Sequence, residues 1–151
     1  MQVKEIKPIN FLYFKTETKI NELSGFVSRV GKALHLEAAK QSLEVTGPVY
    51  WNYFGFAGDV SQPFTLEISI PIAELPVNYQ GEFSYKRTSG FKCLSVMHYG
   101  SWLEMPKTYG ALVQYLTHHQ LKPKMMNREL YINCDFTDQD ANVTEIQMGI
   151  E

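Results

Sequence analysis

Aromatic and acidic residues stand at alternate positions in several short segments of this sequence. Trp51 stands two positions before Tyr53, Glu129 stands two positions before Tyr131, and Glu145 lies in a separate segment near the C-terminus. A carboxylate among aromatic rings can hold an organic cation, because the negative charge and the ring faces both attract positive charge. The same groups can transfer a proton, with the carboxyl group as acid or base. The pattern therefore favours two chemistries, cation binding and general acid–base catalysis.

Signatures of other chemistries are missing from the sequence. It contains no Gly-x-Ser-x-Gly element, no phosphate-binding loop and no Gly-x-Gly-x-x-Gly element. His118 and His119 are adjacent, so on a helix they point about 100° apart and cannot hold one ion together. We therefore expect no metal and no cofactor. His98, at the end of a predicted strand, either titrates beside the site or is simply hydrogen-bonded there.

Alternation and helical spacing predict the elements that must position these residues. The order strand, helix, strand, strand occurs twice, with strands over 11–18, 48–54, 64–70, 91–98, 127–133 and 143–150 and helices over 19–41 and 102–119. A shift of 80 residues, from 11 to 91 and from 51 to 131, preserves this order. We predict one α+β domain over 1–151, with pseudo-repeats over about 9–72 and 83–151. Its antiparallel sheet should carry both helices on one face.

Period-two alternation assigns the strand side chains to two faces of that sheet. We expect Leu66, Ile146, Leu130 and Ile132 to lie under the helices with the other apolar residues. The opposite face then mixes aromatic and acidic residues, which are rarely left together in water. We predict a ligand groove on this opposite face. Its candidate binding residues are Tyr13, Trp51, Tyr53, Glu67, Met97, Glu129, Tyr131 and Glu145.

A purely structural alternative accounts for the same residues. In it, the aromatic rings close a second small core, and the glutamates form ion pairs at its rim with Lys or Arg. Spacing alone does not separate this alternative from a groove.

Charge and cysteine content bound the environment of the chain. Fourteen basic and 16 acidic residues give a net charge of −2, too balanced for neutralising nucleic-acid phosphates, so we expect no direct DNA binding. No apolar run approaches the roughly 20 residues that span a bilayer, so we expect no membrane association. Cys93 and Cys134 form no paired framework and are predicted to be buried free thiols. These features favour a cytoplasmic, soluble protein.

Six segments carry a family resemblance: 47–53, 64–71, 97–102, 109–112, 128–133 and 143–146. They contain an H-x-G, an E-x-Y and a T-E-I element in that order. Together they resemble the GyrI-like small-molecule-binding domain, also called the effector-binding domain of AraC-type and MerR-type multidrug regulators.

The resemblance implies a SOUL-like fold of two strand-helix-strand-strand modules, with a groove for hydrophobic, often cationic or aromatic, compounds. It implies that Glu129, the glutamate of the E-x-Y element, is the buried negative charge and that Glu145 is a second carboxylate. Tyr99 and Trp102, from the segment 97–102, join the candidate binding residues. Because ten residues precede Phe11, we expect a standalone member without a DNA-binding module of its own.

Three functions stay open for such a member. The first is a binding module that senses or sequesters a small molecule. The second is a hydrolase of reactive cyclopropane-bearing natural products, with Glu129 transferring a proton or activating water and Trp51 or Tyr131 holding the substrate. The third is a protein-interaction domain, like the gyrase inhibitor from which the family takes its name. Whether the chain is an enzyme is left undecided by the motifs.

Overall fold

An eight-stranded antiparallel sheet frames the structure. The computed structural model describes residues 1–151. The strands are β1 (Gln2–Ile6), β2 (Asn10–Thr18), β3 (Val49–Phe54), β4 (Phe64–Pro71), β5 (Ser84–Arg87), β6 (Phe91–Tyr99), β7 (Pro123–Asn133) and β8 (Val143–Ile150), and the helices are α1 (Arg29–Lys40) and α2 (Met105–His118). The predicted α+β class is confirmed.

The strand order across the sheet is β1-β6-β8-β7-β3-β4-β2-β5. The chain segments β2-α1-β3-β4 and β6-α2-β7-β8 therefore lie side by side and meet where β3 pairs with β7. Each segment also gains an outer strand, because β5 pairs with β2 and β1 pairs with β6. This order agrees with the repeated element order, while the duplication itself stays a prediction.

Three local features differ from the predicted elements. β1 and β5 were not predicted, because these edge strands have five and four residues and carry little alternation. The first helix is shorter than predicted, since a 3₁₀ turn over Ile20–Gly25 precedes α1. Another 3₁₀ turn precedes α2, so that Pro106 sits in the first turn of α2, where its missing N–H costs no helix bond. Neither helix combines the length and the apolarity that crossing a membrane would require.

One face of the sheet, which we call the helix face, packs against α1 and α2. Leu34 of α1 clusters with Leu66 and Ile68, and Leu112 of α2 clusters with Ile146. Cross-strand pairing places Ile68, Trp51, Glu129 and Ile146 in one row across β4, β3, β7 and β8. Glu129 and Trp51 therefore share the helix face with the apolar core.

The opposite face, which we call the far face, has a small core of its own, formed by Phe11, Tyr50 and Leu130. Glu67 and Glu145 lie on this face and are ion-paired, Glu67 with Lys86 at 2.5 Å and Glu145 with Lys4 at 2.8 Å. For these two glutamates, the purely structural alternative describes what is observed.

Candidate functional site

A cavity of about 1170 Å³ lies on the helix face, between α1, α2 and the paired strands β3 and β7. Of its 32 lining residues, 21 are hydrophobic, so it suits an apolar guest. Val60 and Met125 line it and are exposed, and they mark its opening to solvent. The prediction of a groove on the face opposite the helices is therefore wrong: the cavity and the helices share one face.

Glu129 is the single acidic residue in the cavity lining, and it is 5% exposed. Three tyrosine hydroxyls donate hydrogen bonds to its carboxylate. Tyr53 of β3 lies 2.8 Å from Oε2, Tyr109 of α2 lies 2.6 Å from Oε1, and Tyr131 of β7 also donates to Oε2. Because the donors come from three different elements, the fold fixes the carboxylate in place.

Burial raises the pKa of Glu129 above its ordinary value, although the three tyrosine hydrogen bonds act in the opposite direction. Burial and the adjacent carboxylate raise the pKa of Tyr53, Tyr109 and Tyr131 well above their usual range. The tyrosines therefore stay protonated and remain hydrogen-bond donors. When the Glu129 carboxyl group is ionised, its charge is buried in the cavity wall and would attract a positively charged partner.

Aromatic rings form the walls beside Glu129. The Trp51 ring meets the Tyr131 ring at a centroid distance of 5.9 Å, and Trp102 meets both Tyr131 and Phe136 at 5.6 Å, all edge to face. Trp102 is held by a hydrogen bond of 3.3 Å from its Nε1 to Oγ1 of Thr144. Such an arrangement offers flat ring surfaces and edges to an aromatic guest.

Five of the ten predicted binding residues line the cavity: Trp51, Tyr53, Trp102, Glu129 and Tyr131. Four others are away from it on the far face, because cross-strand pairing puts them on the side of Leu130: Tyr13, Glu67, Met97 and Glu145. Tyr99 is 72% exposed and lies outside the lining.

The wrong face assignment has a physical cause in β7. Leu130 was expected under the helices because it is apolar, but it packs in the second small core instead. Both faces of the central strands are buried, so apolarity does not say which face a residue takes. Glu129 and Tyr131 take the helix face because there they meet the hydroxyls and rings of the cavity.

Several lining residues were not recognised as site residues from the sequence. Tyr109 was assigned to the apolar stripe of α2, yet its hydroxyl reaches Glu129. The available signal was the hydroxyl itself, because a buried tyrosine normally finds a polar partner. Asn127 and Phe136 carry no such signal in the sequence, and both line the cavity.

The histidine and the cysteines have simpler places. His98 is buried, with its Nε2 donating to the carbonyl of Ser101 at 2.9 Å and its Nδ1 2.8 Å from Thr108 Oγ1. It thus ties the end of β6 to the start of α2. Cys93 is buried as expected, but Cys134 is exposed, so the prediction is wrong for Cys134.

The comparisons agree with this architecture. The family model for the GyrI-like small molecule binding domain matches residues 1–151. No curated protein is similar enough in sequence to count as a relative.

Three solved proteins share the fold at low identity. The C-terminal domain of EcmrR superposes with a TM-score of 0.80 at 18% identity, covering 99% of this chain and 96% of that one. EcmrR in its complex with DNA superposes with a TM-score of 0.82 at 18% identity. The match covers 99% of this chain but only 56% of that longer protein.

SAV2435 bound to tetraphenylphosphonium gives a TM-score of 0.68 at 13% identity, covering 99% of this chain and 93% of that one. A hydrolase encoded by lin2189 from Listeria innocua gives 0.70 at 12% identity, covering 99% and 91%.

Proposed function

The chain belongs to the family of GyrI-like small-molecule-binding domains, and we propose that it binds lipophilic aromatic cations in the cavity between α1 and α2. Bound cations would sit with their charge against Glu129 and their rings against Trp51, Trp102 and Tyr131. In this role the protein senses or sequesters its ligand.

The observation that carries the proposal is the isolation of the Glu129 charge. Glu67 and Glu145 each pair with a lysine, but no Lys or Arg pairs with Glu129, although it is buried. A buried charge without a counter-ion is unfavourable, and three neutral hydroxyls compensate it only in part. A cation from solution can supply the missing charge.

Two further findings support a cation as the ligand. The cavity walls are apolar and aromatic, so ring stacking and cation–π contact add to the charge interaction. A protein of the same fold, SAV2435, was solved with the aromatic cation tetraphenylphosphonium, at 13% identity to this chain.

Calorimetry with two matched compounds tests the proposal. Methyltriphenylphosphonium and triphenylphosphine oxide have the same three rings, but only the first is charged. A charge-assisted contact contributes about 1.5–3 kcal/mol, so Glu129→Gln should weaken binding of the cation by roughly 10- to 100-fold. Binding of the neutral oxide should hardly change.

The control variant is Glu145→Gln, which removes a carboxylate from the far face. It should leave the affinity for both compounds unchanged. Equal losses for both compounds in Glu129→Gln would contradict a role for the charge, and a wild-type protein that binds neither compound would contradict the proposal as a whole.

Hydrolysis is the second candidate, and the raised pKa of Glu129 favours it. A carboxyl group that keeps its proton closer to neutral pH is suited to general acid–base catalysis. Incubation with a reactive cyclopropane-bearing compound, followed by mass spectrometry, separates the two functions. A hydrated product that forms with wild type and not with Glu129→Gln supports hydrolysis, while a bound, unchanged compound supports binding alone.

A further inference from the structure

The H-x-G element of the sequence, His98-Tyr99-Gly100, forms the corner between β6 and the 3₁₀ turn that contains Trp102. Gly100 has a φ of +103°, a conformation that glycine adopts at little cost, and its N–H donates to the carbonyl of Asn142 at 2.8 Å. The chain therefore leaves the sheet at Gly100. Trp102 follows two residues later and lines the cavity.

His98 is bound to this corner through both nitrogens of its ring. It is 5% exposed and does not line the cavity, so it acts on a ligand only through other residues. The Ser101 carbonyl, 2.9 Å from Nε2, can only accept a hydrogen bond, so Nε2 carries the proton of the neutral ring. Nδ1, 2.8 Å from Oγ1 of Thr108, then accepts from that hydroxyl. The ring thus holds the residue before Trp102 and the first turn of α2.

The side chain of Trp102 is fixed at a second point beside His98. Its Nε1 donates to Oγ1 of Thr144, and Thr144 is the cross-strand neighbour of both His98 on β6 and Tyr131 on β7. These three strand residues therefore lie in one row on the helix face. The indole meets the rings of Tyr131 and Phe136 edge to face, so a shift of the 3₁₀ turn would move a wall of the cavity.

We propose that His98 is a positioning residue for the ligand cavity: its hydrogen bond to the Ser101 carbonyl holds Trp102 where the rings of a bound ligand stack. This inference rests on the proposed function, because the place of Trp102 affects binding only if the cavity takes an aromatic ligand. Since Trp102 carries no charge, loss of the hydrogen bond should weaken a cation and its neutral analogue alike. The pattern differs from that of Glu129→Gln, which should weaken only the cation.

Two substitutions of His98 each keep one of its two hydrogen bonds. A glutamine amide reaches the place of Nε2 and can donate to the Ser101 carbonyl, whereas the shorter asparagine amide reaches only the place of Nδ1, beside Thr108. His98→Asn should weaken methyltriphenylphosphonium and triphenylphosphine oxide by roughly 2- to 10-fold each, the loss expected for one neutral hydrogen bond. His98→Gln should bind both compounds as wild type does. Calorimetry well below the melting temperature of every variant measures these affinities.

Tryptophan fluorescence without ligand reports on Trp102 directly. Trp51→Phe leaves Trp102 as the single tryptophan. In that background, His98→Asn should increase quenching by acrylamide and lower the emission anisotropy, because the hydrogen bond to Ser101 no longer holds the turn. His98→Gln should match the background protein. The matched control is His118→Asn, which changes an exposed histidine of α2 outside the cavity lining and should alter neither fluorescence nor affinity.

The outcomes separate this inference from the proposed function. A wild-type protein that binds neither compound overturns the proposed function, and the fluorescence of Trp102 still decides whether His98 holds it. Unchanged affinity and fluorescence in His98→Asn would overturn the positioning role, and so would a loss of affinity for the cation alone.

Equal losses in His98→Asn and His98→Gln would show that the buried ring only stabilises the fold, and they would also overturn the inference. Should His98→Asn fail to fold, His98→Gln decides alone, because it keeps the hydrogen bond to Ser101. Behaviour like that of wild type then supports the inference, and a loss of affinity overturns it.

Discussion

The hydroxyl of Tyr109 lies 2.6 Å from Oε1 of Glu129, so a side chain of α2 bonds directly to the carboxylate on β7. Tyr53, from the other side of the central strand pair, donates to Oε2 of the same carboxylate at 2.8 Å. A guest that approaches Glu129 must therefore share or displace hydroxyls that belong to separate elements. We therefore expect the position of α2 to respond when a ligand contacts Glu129.

Removing the hydroxyl of Tyr109 should make cation binding more sensitive to acid. The Tyr109 hydrogen bond favours the charged form of Glu129 and holds its pKa below the value that burial alone would give. In Tyr109→Phe, this pKa should rise further, so that the affinity for methyltriphenylphosphonium begins to fall at a higher pH than in wild type. At a pH below this fall in both proteins, we expect the affinity of Tyr109→Phe to be roughly tenfold lower than that of wild type, because one hydrogen bond to the charged form is lost. Calorimetry across a pH series measures it.

The control for this pH series is Tyr115→Phe, on the same helix, because Tyr115 stacks on His119 and does not contact Glu129. Its pH profile should match that of wild type. Identical profiles for wild type and Tyr109→Phe would contradict the coupling between the hydroxyl and the carboxylate.

Substituting Glu129 and Glu145 by glutamine should change stability in opposite directions at neutral pH. The folded state raises the pKa of Glu129 above its ordinary 4.5, chiefly through burial, so ionisation of Glu129 costs folding free energy. Burial raises the pKa of Glu145, but hydrogen bonds from Gln147, Lys4 and Ser95 lower it, and the net result is a pKa below 4.5. The ionised form of Glu145 therefore stabilises the fold. Glu129→Gln should raise the melting temperature by roughly 2–4 °C, and Glu145→Gln should lower it by a similar amount.

The two effects should fade over different pH ranges. The folding free energy lost through ionisation of Glu129 increases as the pH rises from about 4.5 through its raised pKa. Below about pH 4.5, Glu129→Gln should therefore be no more stable than wild type. The benefit of Glu145 is complete above 4.5 and is lost as the pH falls through its lowered pKa. Thermal melts from pH 3 to pH 8 check both signs, and parallel curves for the two variants would refute this account.

Ligand binding should change the intrinsic tryptophan fluorescence strongly. The chain has two tryptophans, and both Trp51 and Trp102 line the cavity. An aromatic cation stacked against them should quench or shift the emission of each. In Trp102→Phe, the remaining change reports Trp51 alone, and in Trp51→Phe it reports Trp102 alone. Binding that calorimetry detects without any change in emission would mean that the guest sits elsewhere.

This chain should not bind duplex DNA specifically by itself. Its net charge is −2, and no run of Lys or Arg exceeds two residues, so we expect too little concentrated positive charge for phosphate contacts. Both α1 and α2 pack their apolar sides on the sheet, and neither is a recognition helix braced by a second helix. Fluorescence anisotropy at about 150 mM salt, with DNA from upstream of its own gene, is the test. Submicromolar affinity with a preference over random duplex would show that the prediction is wrong.

The sequence predicted most of the fold because the central elements follow simple periodicity. The six strands of the repeated segments and α2 lie close to the predicted ranges, since their apolar spacing reflects burial on a sheet, whereas α1 begins ten residues after the predicted start of the first helix. β1 and β5 escaped prediction because an edge strand of four or five residues is specified by its partner strand. For β1 that partner is β6, which lies more than eighty residues further along the chain.

The sequence predicted the residue types of the candidate site, but it identified only half of the lining residues it proposed and assigned the site to the wrong face of the sheet. Glu129, Tyr131 and Trp51 were predicted to share one face, and they do, because pairing of β3 with β7 brings them together on the helix face; their role in binding stays a prediction. Glu67 and Glu145 were expected beside them because alternation groups residues by parity within a strand. Alternation within one strand does not show how that strand is aligned with its neighbour. In the structure, Glu129 of β7 pairs with Ile146 of β8 and Leu130 pairs with Glu145, so Glu129 and Glu145 lie on opposite faces. That register depends on tertiary packing on both faces.

The residues around Glu129 come from two stretches of the chain, β2-α1-β3-β4 and β6-α2-β7-β8, which meet where β3 pairs with β7. Trp51 and Tyr53 belong to the first stretch, while Glu129, Tyr131 and Tyr109 belong to the second. Neither stretch alone contains a complete pocket, so the site exists only where the two meet. The charge comes from one stretch and the facing wall from the other. Substitutions in β3 and α1 should therefore change the shape of the cavity, and with it the size of the ligand that fits, without removing the Glu129 carboxylate on β7.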